Sequence, residues 1–187
     1  AISVDTAISH YESSALAWEQ AAFIRSRAAA GDVALGQSFL DAIRPFIWRR
    51  SLDFGAIDEI WRLTSRIRDH YAGGQALGPG FDVKRGRGGI REVEFFAQTL
   101  QLIHGGRDPA LRVRKTCDAL AALSAAGHVS ADDTAMLCAR YRRLRTIEHR
   151  LQMVDDHQTH SLPRSAEALD HVARLGGLAD GTALLAD

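Results

Sequence analysis

The amino-acid sequence predicts an all-α helical bundle. Apolar side chains recur at three- and four-residue spacings from end to end, two-residue alternation is almost absent, and most periodic stretches carry a capping residue before them or a glycine after them. With 187 residues, 46% of them apolar, the chain is long enough to bury a core.

The elements follow in order. Ser3 reads as the cap of a first helix running to about Ser13, with Val4, Ile8 and Tyr11 on one side. A second, about Ala15–Ala30, groups Trp18, Ala22 and Arg25 and is terminated at Gly31. A third spans about Val33–Arg50, and Pro45 inside it predicts a kink or break near Arg44, because proline removes a backbone donor and clashes with the preceding turn. A fourth, about Phe54–Tyr71, ends at Gly73-Gly74. Trp18, Trp48 and Trp61 fall on apolar faces and read as core anchors rather than base-stacking platforms.

Residues 73–89 hold seven glycines and one proline, which marks this irregular stretch as a functional loop, with Phe81-Asp82-Val83 as a short extended piece inside it. Two helices follow, about Gly89–His104 and Val113–Ala126, the second closed by Gly127. Ser130 caps the longest helix, about Ala131–Asp156, with Asp132 and Asp133 in its first turn, where the helix dipole favours negative charge. Its seam of Leu137, Tyr141, Leu144, Leu151 and Val154 suits an antiparallel bundle. Ser165 caps a last helix ending at Gly176-Gly177.

The most chemically loaded stretch is Lys84-Arg-Gly-Arg-Gly-Gly-Ile-Arg-Glu-Val-Glu-Phe95. Gly86, Gly88 and Gly89 allow close backbone approach to a ligand, the helix that follows starts with unpaired N–H groups, and Lys84, Arg85, Arg87 and Arg91 surround that start with positive charge. Arg91, Glu94, Gln98 and Gln101 share the polar side of this helix, and Glu92 falls inside its apolar arc. A carboxylate buried alone costs several kcal/mol, about 3–5 when a buried pair is broken, so Glu92 is expected to meet a cation, preferably in the Arg140–Arg150 cluster.

Composition excludes several classes. Twenty-three Lys plus Arg balance twenty-three Asp plus Glu, so the whole-molecule attraction of a nucleic-acid binder is missing, and no apolar run is long enough to span a bilayer. Cys117 and Cys138 read as reduced thiols, consistent with a cytoplasmic protein. Asp155-Asp156-His157 with His160 has the residue types of a metal site, but polar helix ends are ordinary and no metal is assigned there. Arg143 and His149, six apart, have the spacing of a helical-bundle ribonuclease pair; an ion-pair network around Glu148 is the simpler reading. The chain starts at Ala1 rather than Met and reads as a piece of a longer polypeptide.

The run from Lys84 to Phe95 closely resembles the Lys-x-Gly-x-Gly-Gly-Ile-Arg-Glu-Ile-Glu-Phe signature of the bifunctional glutamine synthetase adenylyltransferase/adenylyl-removing enzymes. His10-Tyr11-Glu12 with Trp18-Glu19, Arg44-Pro45-Phe46 with Leu52-Asp53, and Glu148-His149-Arg150-Leu151-Gln152 through Gln158-Thr159-His160 and Leu162-Pro163 resemble further stretches of that family in order and spacing, over about residues 3–163. Gln20 and Arg25 depart from it, standing where arginine and lysine are usual.

The resemblance is nearer to the half that removes AMP from a tyrosine of glutamine synthetase, with phosphate as acceptor. It implies a nucleotidyltransferase-associated, substrate-binding type of bundle with a four-helix up-and-down core. By this reading 1–72 are helices continuing from a nucleotidyltransferase domain, 73–163 the glycine loop and bundle, and 164–187 the start of a further helical segment. The family's magnesium-holding Asp-x-Asp strand has no counterpart in this sequence. The implied cofactors, Mg2+ and ATP, ADP or phosphate, therefore belong to the whole enzyme, and the chain alone is expected to bind none of them and to contribute no catalytic residue. Lys84, Arg87, Gly88, Gly89 and Arg91 are the candidates for positioning nucleotide or phosphate, and Glu92 and Glu148 for structural ion pairing. Implied partners are the nucleotidyltransferase domain, glutamine synthetase and the PII signal protein, with no nucleic acid and no membrane. A stand-alone interaction module for the latter two proteins is the alternative, and a helical-bundle ribonuclease built on Arg143 and His149 the less favoured one.

Overall fold

In a computed structural model of the chain, residues 2–50, 76–155 and 158–186 are described, together with Gly55, Asp58, Arg62 and Ser65. The fold is all-α. Among these residues no β-sheet forms, and the one β pairing is an antiparallel bridge between Asp82 and Ser161. The chain divides into two compact units, each discontinuous in sequence: Ala1–Leu63 with Phe95–Thr134, and Thr64–Glu94 with Ala135–Asp187.

The first unit starts with α1, Val4–Ser13, where the Ser3 hydroxyl accepts from Thr6 N–H as a cap. The second helix, α2, covers only Ala17–Phe23, much less than the expected Ala15–Ala30. Tertiary packing overrides the alanine-rich propensity here: Ile24 is buried, the Arg25 guanidinium donates to the Thr116 hydroxyl, and Ala28 presses so close to Gly36 that a Cβ there would meet Ala28 Cβ at 2.9 Å. The buried side of α2 is Gln20 and Ala21 rather than the Trp18, Ala22, Arg25 group. Trp18 is 43% exposed, so it is no core anchor in this unit.

The expected third helix is broken at its proline. Asp32 caps α3, Val33–Ala42, and a separate turn, α4, covers Arg44–Ile47 with Pro45 in its first positions, where its missing N–H costs nothing. Ala21, Ile24, Ile43, Phe46, Ile47 and Leu102 form this unit's apolar core, with Tyr11, Phe23 and Phe39 packed on it edge to face. The expected helix at 54–71 lies mostly outside the described residues; Gly55, Asp58, Arg62 and Ser65 are helical, and Arg62 pairs with Asp58 at 2.7 Å.

Helix α5, Ile90–Gly105, matches its expected span, but its faces differ from the pattern. Gln101, assigned to the polar side, is buried and donates to the carbonyls of Leu111 and Val113 at 2.6 and 2.8 Å, tying down the Pro109–Leu111 3-10 turn, while Phe96 is exposed. Helix α6, Thr116–Ala125, begins three residues later than expected.

Helix α7, Ala131–Asp155, begins with a reciprocal cap in which the Ser130 hydroxyl accepts from Asp133 N–H and donates to its carboxylate. In the second unit, Ser165 caps α8, Ala166–Leu175, and α9, Gly181–Ala186, is a short helix the periodicity did not reveal. Asp180 caps α9 through Ala183 N–H, and the Asp170 carboxylate accepts from Gly181 N–H at 2.7 Å. The core of this unit joins Phe81, Val83, Ile147, Leu151 and Leu162 to Leu169, Val172, Ala173 and Leu184. Residues of the 164–187 segment therefore pack directly on the glycine loop's strand and on α7.

Candidate functional site

The loop that leads into α5 is built against the segment after α7. Residues 80–83 run antiparallel to 160–162 through three backbone bonds: Gly80 N–H to Leu162, Leu162 N–H to Phe81, and Val83 N–H to His160, each 2.9 Å. Phe81 and Val83 point into the core. Asp82 is buried between them, and its carboxylate accepts from Lys84 and Arg85 N–H at 2.9 and 2.8 Å.

The glycines make the next turn possible by sterics. A Cβ on Gly89 would lie 2.8 Å from the carbonyl oxygens of both Gly86 and Val83, and one on Gly86 would sit 2.5 Å from the Asp82 carbonyl and 2.6 Å from the Phe81 ring. Gly88 has φ +77°, the left-handed region that favours glycine.

This packing uses up the amides that were expected to face an anion. Gly89 N–H donates to Gly86, Ile90 N–H to Val83, Arg91 N–H to Lys84 and Glu92 N–H to Gly89, while Gly88 N–H donates to Glu92 Oε2 at 3.0 Å. The start of α5 is thus closed by its own loop, in which the Gly88 and Gly89 amides are both engaged. Glu92 is corrected with them. Its partner is the Gly88 amide two residues outside the helix, not an arginine of the 140–150 cluster, and its Oε1 is buried without a hydrogen bond.

The carboxylate that gathers cations is Glu148. It is 1% exposed, and three segments converge on it. Arg145, one turn earlier on α7, donates to Oε2 at 2.6 Å; Lys84 Nζ from the glycine loop lies 3.3 Å from Oε1; and His160 Nδ1 lies 3.1 Å from the same oxygen. The last two are close contacts without the alignment of full hydrogen bonds. Burial, then the Lys84 ammonium, push the His160 pKa below its usual 6.5; Glu148 and Asp82 oppose this, and Arg85 adds to it. Nearby, the Tyr141 hydroxyl donates to Glu94 at 2.9 Å.

Of the candidate anion-positioning side chains, Lys84 is thus shared with Glu148, and Arg91 is half-buried and engaged. Arg87 is exposed at the crest of the loop, and its guanidinium has no partner among the described residues. The Arg143 and His149 pair is not brought together as a site: Arg143 has an interaction of its own, and His149 is exposed. Asp156 and His157 lie outside the described residues, and His160 turns toward Glu148; among the described residues no group of three or more His, Cys, Asp or Glu could hold a metal ion. No described helix is long and apolar enough to cross a membrane.

Glu148 was visible in the heptad of α7. Leu137, Tyr141, Leu144 and Leu151 are spaced four, three and seven, and the position skipped by the seven is Glu148. The seam does not end at Val154, which is 36% exposed; Ile147 joins the core instead. No spacing rule pointed to Asp82 or to His160 as a partner of Glu148, since both depend on the 80–83 and 160–162 pairing.

Fold and site together define an all-α module in which a basic glycine loop is fastened to a helix by one buried carboxylate. Residues 61–186 match the family model described as GlnD PII-uridylyltransferase, and the chain belongs to that family. It is homologous over nearly its whole length to bifunctional glutamine synthetase adenylyltransferase/adenylyl-removing enzymes. It is 51% identical to that of Caulobacter vibrioides over 177 residues, 95% of this chain and 18% of the relative. The Agrobacterium fabrum protein is 48% identical over 96% of this chain and 18% of its own length, and that of Mesorhizobium japonicum 45% identical over 98% and 19%. The chain thus spans about a fifth of these relatives' length.

Proposed function

We propose that this chain is the helical, non-catalytic part of an enzyme that removes AMP from a tyrosine of glutamine synthetase, and in another part of the polypeptide adds it. The observation that carries the reading is the 51% identity over 95% of the chain to an enzyme of that name, in a stretch that includes the glycine loop. In this reading the bundle is of the substrate-binding type that accompanies nucleotidyltransferase domains. The Mg2+-holding carboxylates sit on a strand of that domain, where they neutralise and align the phosphates during in-line transfer. Glutamine synthetase is the substrate protein and PII the signal partner.

Arg87 and Lys84 of the glycine loop are the cations that position a nucleotide or phosphate, with Arg91 behind them. Lys84, already held beside Glu148, contributes by orientation, since it needs little rearrangement when the anion arrives. The test is release of AMP from adenylylated glutamine synthetase, measured with the full-length polypeptide and with the 187-residue chain. The full-length protein is expected to release AMP and the chain alone to release none. Release by the isolated chain would overturn the non-catalytic assignment, and no release by either would overturn the function.

A further inference from the structure

Two histidines meet face to face at the end of α5. The His104 and His128 rings lie 3.7 Å apart between centroids and within 9° of parallel. His104 is half-buried in the last turn of α5, and His128 is exposed in the turn between α6 and α7. Backbone contacts hold both residues in place. Gly127 has φ +77°, and the Gly127 and His128 N–H groups donate to the Ser124 and Leu123 carbonyls, each at 2.9 Å, which closes the end of α6. The His104 carbonyl accepts from Arg107 and Asp108 N–H, each at 3.0 Å.

Among the described residues neither imidazole has a hydrogen bond or an ion pair, so stacking is what the two rings contribute to joining these turns. Parallel rings send their lone pairs out side by side, and these do not converge on one metal ion at the ~2.0–2.1 Å that imidazole ligation needs. The arrangement suits two neutral rings. The charged or titratable groups facing His104 are Arg107, in the turn after α5, and His128 itself. Arg107 is fixed there, its Nε donating to the Arg50 carbonyl at 3.0 Å. The carboxylates next in sequence are engaged elsewhere, Asp108 by Ala110 N–H and Asp133 by the Ser130 hydroxyl. Burial first, then His128 and Arg107, hold the His104 pKa below its usual 6.5.

We propose that the His104–His128 stack is an acid-released latch, which closes the α6–α7 turn onto the end of α5 at neutral pH and opens when both rings take up a proton. A first proton on the exposed His128 leaves a cation over a neutral ring, which the stack tolerates. A second puts two like charges 3.7 Å apart, and even in the dielectric of water their repulsion shifts the closing equilibrium by about fivefold. The turn then comes away from α5, while α6 stays in place on its buried Leu120 and Leu123.

The test is an NMR titration of the 187-residue chain from pH 8 to pH 4, reading the ring protons of His104 and His128 and the hydrogen exchange of the His128 N–H. At pH 8 both rings should show the upfield ring-current shifts of a stack. On acidification the two sets of shifts should vanish together, and exchange of the His128 N–H, corrected for its intrinsic pH dependence, should accelerate by about fivefold or more. His128→Phe keeps a stacking ring that takes no proton, so its turn should stay closed at pH 4. His128→Ala should raise the pH at which His104 titrates. Unshifted rings at pH 8, ring shifts that persist at pH 4, or a turn that loosens equally in wild type and His128→Phe would each overturn the proposal. None of these results bears on AMP release, so the latch and the proposed function stand or fall separately.

Discussion

Replacing Glu148 with glutamine removes the charge on which the glycine loop, α7 and the 158–162 segment converge, at nearly constant volume. Removing one member of a buried ion pair costs about 3–5 kcal/mol because the other charge is left uncompensated. Here the stranded charges are only partly buried: the side chains of Lys84 and Arg145 are 32% and 37% exposed, so both recover some hydration. The glutamine oxygen can still accept from Arg145, but its NH2 then faces the Lys84 ammonium, donor against donor. The expected loss is therefore about 2–3 kcal/mol, below the fully buried case and above an exposed pair. Urea denaturation of the 187-residue chain and of the variant, followed by circular dichroism, measures it. NMR of His160 supplies an independent signature: without the Glu148 charge, which raises its pKa, the ring should titrate at still lower pH. A loss under about 0.5 kcal/mol with an unmoved His160 titration would refute the assignment of Glu148 as the fastening point.

The loop glycines should separate by mechanism. Gly88→Ala meets open space and carries only the left-handed backbone penalty of about 1–2 kcal/mol, whereas Gly89→Ala drives a methyl against two carbonyls and should cost more than twice that, as thermal melts would show. Leu184→Ala, in the short last helix, should cost about 2–5 kcal/mol in urea denaturation because Leu184 belongs to the same core as Phe81 and Leu162; a loss near zero would detach the 164–187 segment from the site. Stability should also fall on acidification. His160 and His104 have folded-state pKa values below 6.5, so the unfolded chain binds protons first, and the stability present above 6.5 is lost as pH drops through that value toward the folded pKa values. The urea midpoint between pH 7 and pH 5 checks this, and the slope should be shallower in His160→Asn.

Much of the architecture was legible in local signals. Ser3, Ser130 and Ser165 stand where the structure has helix caps, and Pro45 marks the break between α3 and α4. What local pattern could not supply was packing. The stretch from Ile24 to Ala30 has good helix formers and is not helical, because Ile24 is buried and Arg25 reaches Thr116, ninety-one positions away. Gln101 looked like surface and is core, because the carbonyls it satisfies lie in a turn that periodicity does not report.

The glycine loop illustrates the same limit at the site. Its composition identified the segment, but not where its amides point, and the folded loop keeps them for its own carbonyls and for Glu92. The cluster beneath it was half visible, in the skipped seam position and in the arginines around it. The rest required two segments some eighty residues apart to pair, which spacing within one helix cannot foretell.

The most direct measurement is AMP release from adenylylated glutamine synthetase by the full-length polypeptide carrying Lys84→Ala with Arg87→Ala, at varied phosphate concentration. If these loop cations position the reacting anion, the double variant should lose about a hundredfold in kcat/KM, in line with removal of two charge-assisted contacts, with its melting behaviour close to wild type apart from the Lys84 contact. Unchanged kinetics in a folded double variant would contradict the account.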